Sequence, residues 1–441
     1  MKLFEQIQGT VEKLDPQGHG LLGKNSQEVA SFFTVPGDEV KLTLTKRRRG
    51  RLHGRLEQII CPSPARVNPP CPYAGRCGGC LWQMIDYPKQ LEYKRDLVNQ
   101  TFQNQQLNLT IKSVEPSKEI FYHRNRMDYV FGSNGQLGLK EPEQWWSVLN
   151  LETCLLLSKE TPEILRQARQ WMRQWNLAPW DAKTYQGFLR YLVIREGKAT
   201  GERMITLVTG AGQLPADAKQ DLIARLKDFT TTLYWGINPL PADLSSSSQL
   251  TLLSGKSHLE EKVNGFRFRL HPNSFFQTNG LMAGRLMEIV RDSAHVSAAH
   301  RLLDLYCGLG FFAIGIGKAA AEVLGVEIDQ AAVELARENA ALNDVPRAVF
   351  LAGPVEKLLP KLPRPDIVIV DPPRSGLHPK AQKTLLSLLP QRLVYVSCNY
   401  QSLARELPEF LKYYTVEELL ALDLFPHTPH LELIVRLERL N

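Results

Sequence analysis

Long apolar runs are the first thing this sequence lacks. None approaches the roughly 20 residues that a membrane-spanning helix needs, so no such helix is expected. The opening stretch, MKLFEQIQGTVEKLDPQG, alternates apolar and polar residues and carries acids. A secretory signal has a basic start and a continuous apolar core instead, so a cytoplasmic protein is expected. Internal repeats are absent, which removes repeat architectures. Neither sign of charge dominates: 53 Lys and Arg face 46 Asp and Glu, a net +7. That excess is modest for the length, so its distribution matters more than its size. Cysteines number seven, at 61, 71, 77, 80, 154, 307 and 398. An odd count with no visible export signal argues against a disulfide framework and leaves ligands, nucleophiles or core residues.

The composition, 43% apolar and 22% charged, is that of a globular protein, and 441 residues exceed one ordinary core. Three parts are expected. Residues 1–62 hold short apolar runs split by the turns DPQGHG and PGDEV, the pattern of a small β-barrel. Their run KRRRGRLHGR gathers Lys46, Arg47, Arg48, Arg49, Arg51 and Arg55. Such a run is ordinarily a solvated face; nucleic-acid contact is the second reading. SPARVNPPCP is a linker, since its prolines forbid regular structure. Residues 63–264 mix a cysteine cluster, a helical stretch (TPEILRQARQWMRQWN) and strands (RYLVIRE, RMITLVTG), an α+β pattern. Residues 265–441 alternate apolar strands with helices from about 300 on, which predicts βαβ units and a parallel α/β sheet. The final stretch LALDLFPHTPHLELIVRLERL predicts two strands forming a hairpin at one sheet edge.

LLDLYCGLGFFAIGIG reads as strand, glycine turn, helix, with Gly308 and Gly310 allowing a tight turn against a ligand. Glu327 ends the next strand, VLGVE, where an acid can accept hydrogen bonds from ribose hydroxyls. A dinucleotide site would show G-x-G-x-x-G, but the last position is Ala313. Asp304 followed by the glycine turn fits S-adenosylmethionine (SAM) better, a ligand without phosphates. In DIVIVDPPRSG, Asp371 ends a central strand at the carboxyl edge, where open α/β sheets bind ligands. Its two prolines stiffen the turn.

In VYVSCNYQSLARELPEFL, Cys398 stands at the same edge, before a helix expected to begin near Ser402. The positive end of that helix is expected to favour thiolate. Cys307, inside the glycine turn, reads as core. A methyltransferase acting on oxygen or nitrogen needs no thiolate. The C5 carbon of a pyrimidine does: sulfur adding to C6 makes C5 nucleophilic, and a base must later remove the C5 proton. Glu432 in FPHTPHLELIV, flanked by His427 and His430, is the candidate base. Taken alone it would be an edge-strand surface acid; beside Cys398 and Asp371 the catalytic reading overtakes that.

CPYAGRCGGC spaces Cys71, Cys77 and Cys80 as C-x5-C-x2-C. Zinc sites usually use two short cysteine pairs. Three bunched cysteines and a distant fourth suit an iron–sulfur cluster better, with Cys154 in LETCLLL as the candidate fourth and Cys61 as the nearer alternative.

Together these motifs, with FYHRNRMDYVFG, RYLVIRE and SFFQTN, resemble the TRAM-domain RNA uracil-5-methyltransferases over nearly the whole chain. The resemblance implies a class I (Rossmann-like) SAM methyltransferase domain, an N-terminal TRAM-like barrel that holds RNA, and a central domain with a 4Fe-4S cluster on Cys71, Cys77, Cys80 and Cys154. It makes Cys398 the nucleophile, Glu432 the C5 base and Asp371 a contact to the uracil edge and SAM. Gln277, Tyr306, Gly308, Phe311 and Glu327 fall at its SAM positions. Three residues depart from its pattern. Pro354 and Phe311 stand where polar residues are common, and Tyr400 where proline is usual. A flipped target uracil is implied, and Phe121, Tyr122, Arg124, Arg126 and Tyr129 are either stacking partners for RNA or strand core. The preferred substrate is 23S rRNA, with a tRNA T-loop uridine second; a monomer is expected. Cytosine-C5 chemistry is disfavoured because Asp371-Pro372-Pro373 replaces a Pro-Cys motif. A non-catalytic RNA-binding protein is disfavoured by intact Cys398, Glu432 and Glu327. A redox enzyme lacks flavin and nicotinamide signatures.

Overall fold

A computed structural model describes residues 2–24 and 27–440. Six strands form the N-terminal sheet, and its apolar residues, among them Ile7, Val11, Leu22, Val29, Val40 and Leu42, share one core. Ile7 of the first strand and Leu22 of a strand that is not its sheet neighbour meet there, so the sheet coils back on itself. Strands Glu39–Arg48 and Arg51–Cys61 pair through the tight turn Arg49-Gly50, both residues at positive φ. That turn places much of the basic run on an exposed hairpin tip.

The central sheet has seven strands, from Arg126–Gly132 to Gln249–Gly255 in chain order. Helices Thr161–Gln174 and Ala216–Leu226 supply apolar residues to its core. Helix Tyr87–Asn104 lies elsewhere. Its Leu97, Val98 and Phe102 pack with Leu403 and Leu407 of the C-terminal part. Position 264/265 falls in the turn of the hairpin Leu259–Val263/Phe266–Leu270, and both strands contribute to the C-terminal core.

The C-terminal sheet runs in the order Ala348–Ala352, Glu322–Glu327, Arg301–Leu305, Ile367–Val370, Arg392–Ser397, Glu432–Arg439, Tyr414–Leu422. The first five strands are parallel and the last two antiparallel. The IVIV and LVYV runs are fully buried because helices cover both faces, as the unbroken apolar pattern requires. Chain order reverses between Arg301–Leu305 and Ile367–Val370, which opens a crevice at their carboxyl ends. Strand Glu432–Arg439 sits inside the sheet, beside Arg392–Ser397, and Tyr414–Leu422 takes the edge. The expected terminal hairpin is there, with a longer link than a short turn.

One buried ion pair ties helix Tyr87–Asn104 to that link. Lys94 Nζ donates to Asp423 Oδ1 (2.7 Å) and to the Phe425 carbonyl (3.1 Å); Tyr87 donates its hydroxyl to Asp423 Oδ2 (2.9 Å). Both Lys94 and Asp423 are completely buried. Removing one partner strands a charge, which costs about 3–5 kcal/mol. Lys94→Met therefore lowers the calorimetric melting temperature by several degrees, and Lys94→Met/Asp423→Asn recovers part of the loss.

Candidate active site

Direction and register bring Cys398 and Glu432 together. An antiparallel strand starts where its parallel neighbours end, and Ser397 pairs with Leu433. Cys398, one step past Ser397, therefore stands opposite Glu432, one step before Leu433. Asp371 ends the adjoining strand, and its Oδ2 accepts from Gln277 Nε2 at 3.4 Å.

Each anion in this recess is costly. Glu432 is 3% exposed and its Oε1 has no hydrogen-bond partner. Burial, then the Asp371 charge, hold its carboxyl well above the usual range, and Arg374 opposes them. Burial pushes the Asp371 carboxyl up to about 7, against the Gln277 hydrogen bond. Cys398 is pushed up to about 12 by burial and by Glu432 and Asp371. This corrects the expectation that the following helix favours thiolate. That helix runs Tyr400–Phe410, starting before Ser402, and Asn399 caps it by accepting the Gln401 N–H. The helix end and the Arg374 charge do not outweigh burial beside two carboxylates. Arg374, the cation facing all this, was passed over among the candidates; its signal was its place directly after Asp-Pro-Pro.

Asn399 also fixes the Asp371 turn. Its Nδ2 donates to the Arg374 carbonyl (2.7 Å), and Ser402 Oγ donates to the same oxygen (3.0 Å). His427 turns away from Glu432. Its backbone N–H donates to Gln90 Oε1, and its Nδ1 pairs with Gln90 Nε2. Burial holds both His427 and His430 down to about 4, so they stand neutral near pH 7.

The glycine turn is the other wall. Gly308 (φ 53°) and Gly310 (φ 90°) are both left-handed, and a Cβ on Gly308 would meet nothing within 4 Å. The turn thus shows bare backbone to open space. Tyr306 is also left-handed (φ 64°). Glu327 Oε2 accepts the Gly308 N–H (3.1 Å) and Oε1 the Asp329 N–H (3.0 Å), which hold the carboxylate at the strand end. Asp304 is completely buried, and its Oδ2 accepts the Ala313 N–H at 2.8 Å, bracing the turn from below. Phe311 packs among Phe268, Phe276 and Phe312, ring centroids 5.0–5.6 Å away. Pro354 caps the short helix Val355–Leu358 with no side-chain hydrogen bond. Cys307 is buried core, as expected.

Cys71, Cys77, Cys80 and Cys154 line one small recess with Leu139, Leu151 and Leu156. Cys61 is exposed at a strand end and is not among them. All seven cysteines are unbridged. Burial pushes the Cys77 thiol up to about 11, offset in part by the Gly79 N–H, which donates to its sulfur at 3.4 Å. Tyr129 is completely buried, so it is core; Phe121 packs tilted against His427 (ring centroids 4.7 Å apart), while Arg124 and Arg126 line a groove with Arg195 and the exposed Phe275.

The sheet order and the site at its reversal define a class I methyltransferase fold. The family described as tRNA (Uracil-5-)-methyltransferase matches residues 249–353 and 364–440. The chain is 36% identical to the tRNA (uracil(54)-C(5))-methyltransferase of Pyrococcus horikoshii, over 98% of this chain and 100% of that one. It is 33% identical to the 23S rRNA (uracil(747)-C(5))-methyltransferase of the same organism, again over 98% and 100%. The crystal structure of the Pyrococcus abyssi tRNA (uracil-54, C5)-methyltransferase with S-adenosyl-L-homocysteine superposes with a TM-score of 0.80, at 32% identity, covering 98% of this chain and 100% of that one. The chain belongs to the RNA (uracil-C5)-methyltransferase family and is an RNA-modifying enzyme. Among the described residues, no helix is long and apolar enough to cross a membrane.

The crowded acids make a prediction about stability. Asp371 and Glu432 bind protons more tightly folded than unfolded, so stability falls as pH rises from the unfolded range near 4 through the folded values. Asp371→Asn and Glu432→Gln remove that penalty. Each raises the melting temperature at pH 8 by a few degrees, and the gain vanishes towards pH 4. Melting curves across that range check it.

Proposed function

We propose that this chain methylates C5 of an RNA uridine through Cys398, with Glu432 as the base and Asp371 as the contact to the uracil edge. The observation that carries the reading is the strand register that sets a thiol opposite a buried carboxyl with an unpartnered oxygen. Cys398 loses its thiol proton to solvent, its sulfur bonds to C6, and the C5–C6 π electrons shift so that C5 becomes the nucleophile for the methyl group. SAM, when bound in the recess, supplies the methyl group and a sulfonium charge of the sign that favours thiolate. Glu432 then takes the C5 proton as the C6–sulfur bond breaks, which restores the ring double bond and frees Cys398. Asp371 can accept the N3–H of the ring or, when protonated, donate to a carbonyl. Gln277, Tyr306, Gly308, Phe311 and Glu327 form the SAM wall: backbone at the glycine turn, the Glu327 carboxylate for ribose, and Phe311 through packing alone. The match to a relative solved with S-adenosyl-L-homocysteine supports this assignment.

The same reading gives Cys71, Cys77, Cys80 and Cys154 a 4Fe-4S cluster. A single tetrahedral zinc, at about 2.3 Å per sulfur, needs its sulfurs about 3.8 Å apart. Among the described residues, the group found with ligand atoms within 4.8 Å of one another contains no cysteine. Four cysteines around one apolar recess, three of them bunched in the chain and the fourth distant, suit ligation of separate irons. The cluster's contribution is to hold Leu155 and Leu156, whose carbonyls accept the Tyr122 and Arg124 N–H groups. Three parts follow: an N-terminal TRAM-like unit with its basic hairpin on RNA, the cluster-bearing centre, and the catalytic unit.

For the RNA, 23S rRNA is tested first and a tRNA T-loop uridine second. Relatives of both kinds support them, at 33% and 36% identity, a gap too small to rank the two. Tritiated SAM with each RNA, both lacking native modifications, followed by mapping of the labelled base, separates them.

In that assay Cys398→Ala abolishes transfer while SAM still binds. Glu432→Gln loses about 10²–10⁴-fold in turnover, the usual worth of a general base, and accumulates a covalent protein–RNA adduct on denaturing gels. Full turnover by Glu432→Gln would remove that residue from its role. Anaerobically purified Cys80→Ser loses the visible absorbance of the cluster and melts at lower temperature.

A further inference from the structure

Away from the catalytic recess, three side chains from distant segments converge on one point. His19 comes from the DPQGHG turn, His53 from strand Arg51–Cys61, and Glu143 from the turn between strands Gln136–Glu141 and Gln144–Asn150. His19 Nε2, His53 Nδ1 and a Glu143 carboxylate oxygen all lie within 4.8 Å of one another. His19 is 6% exposed and His53 9%. Both of these ring nitrogens are buried without a hydrogen-bond partner. Glu143 Oε1 stands 3.7 Å from the first and 3.3 Å from the second, too long or too poorly aimed for hydrogen bonds. A tetrahedral zinc with ligands at about 2.0–2.1 Å sets its donor atoms about 3.3–3.4 Å apart.

The surroundings orient each donor. Asp15 Oδ2 sits 3.0 Å from His19 Nδ1, so that nitrogen donates to the carboxylate and Nε2 is the nitrogen turned towards the other two residues. Phe32 stacks on the His19 ring, centroids 3.9 Å apart. Lys46 Nζ takes the other Glu143 oxygen at 2.9 Å and leaves Oε1 to the histidines. Glu143 itself is left-handed (φ 62°), a conformation rare for glutamate, and this aims its carboxylate at the N-terminal sheet. A carboxylate behind a ligating histidine is the usual support of zinc imidazoles. One proton between Glu143 and a histidine satisfies a single pair; one cation satisfies all three atoms.

We propose that His19, His53 and Glu143 form a divalent transition-metal site, zinc by preference, that clamps the N-terminal sheet to the central sheet. The three ligands leave a fourth position towards an open pocket beside Trp146 and Arg55, where water completes the shell. The site is separate from the four-cysteine recess and shares no residue with it.

The test uses the full chain, purified anaerobically, equilibrated with zinc chloride and desalted. Metal content is compared with that of His53→Ala and Glu143→Gln, in which the cysteine contribution is unchanged and cancels. Wild type retains one zinc more per chain than either variant. Asp15→Asn, which keeps all three ligands, binds zinc about 10–100-fold more weakly, as loss of a supporting carboxylate does. With cobalt(II), the difference spectrum of wild type minus Glu143→Gln shows weak visible bands and no thiolate charge-transfer band. Equal zinc content in wild type and Glu143→Gln, or a thiolate band in that difference, overturns the site. Glu143 lies on a partly exposed turn, so Glu143→Gln decides the matter even if His53→Ala fails to fold.

Discussion

Everything at this sheet edge follows from placing three acidic groups, Asp371, Cys398 and Glu432, in one buried recess beside the Arg374 guanidinium. Water would scatter these charges; burial makes them compete. Burial raises the proton affinity of all three, the Asp371 charge adds to it at Glu432, and both carboxylates add to it at Cys398, so the resting site holds protons that a solvated site would release. In the proposed reaction that is useful. A protonated thiol is protected until a cation and a planar, hydrogen-bonding ring arrive, and a carboxyl that binds protons tightly is a stronger base once ionised. Arg374 is the fixed counter-charge, and it sits on the turn that carries Asp371.

Such a recess needs a rigid frame, because each acid that ionises during the proposed reaction repels its neighbours and would otherwise draw water in. Two of the frame's contacts come from the start of helix Tyr400–Phe410: Asn399 and Ser402 both hold the Arg374 carbonyl. Others come from outside it. Arg195, on a central strand, donates to the His271 carbonyl and Ser274 Oγ and so fixes the loop that carries Gln277. The Lys94–Asp423 pair fixes the link that leads into Glu432. The catalytic sheet supplies the geometry, and the central domain keeps it from relaxing.

The alternation of strands and helices after residue 300 could be read from the residues because parallel strands buried on both faces leave unbroken apolar runs. Cys398, Asp371 and Glu327 could be placed for the same reason, since each ends such a run. Glu432 was harder. Taken alone it reads as an edge-strand acid, the pairing with Cys398 and Asp371 favours the base, and the sheet order shows its strand inserted beside Cys398. The helix start slipped from Ser402 to Tyr400 because Asn399, not a serine, makes the cap. The thiol's state was misjudged because a helix terminus can be read from a sequence, whereas neighbouring charge and burial depend on chain segments far apart. The docking of helix Tyr87–Asn104 on the catalytic part was invisible for that reason as well.

The distance between the cysteine recess and the Asp371 recess is bridged by a continuous set of contacts. Leu155 and Leu156, next to Cys154, accept hydrogen bonds from Tyr122 and Arg124. Asn125, next in the chain, donates its N–H to the Thr278 carbonyl and its side chain to the Gln277 carbonyl (2.7 Å). Gln277 reaches Asp371. None of these links carries an electron or a proton; each fixes a position. A cluster at the far end would therefore act by immobilising a short, Arg-rich loop that has little regular structure of its own. On that proposal a redox-capable group would serve a reaction that transfers no electrons: four bonds from Cys71, Cys77, Cys80 and Cys154 to iron would anchor the segment next to that loop against the cost of ordering it.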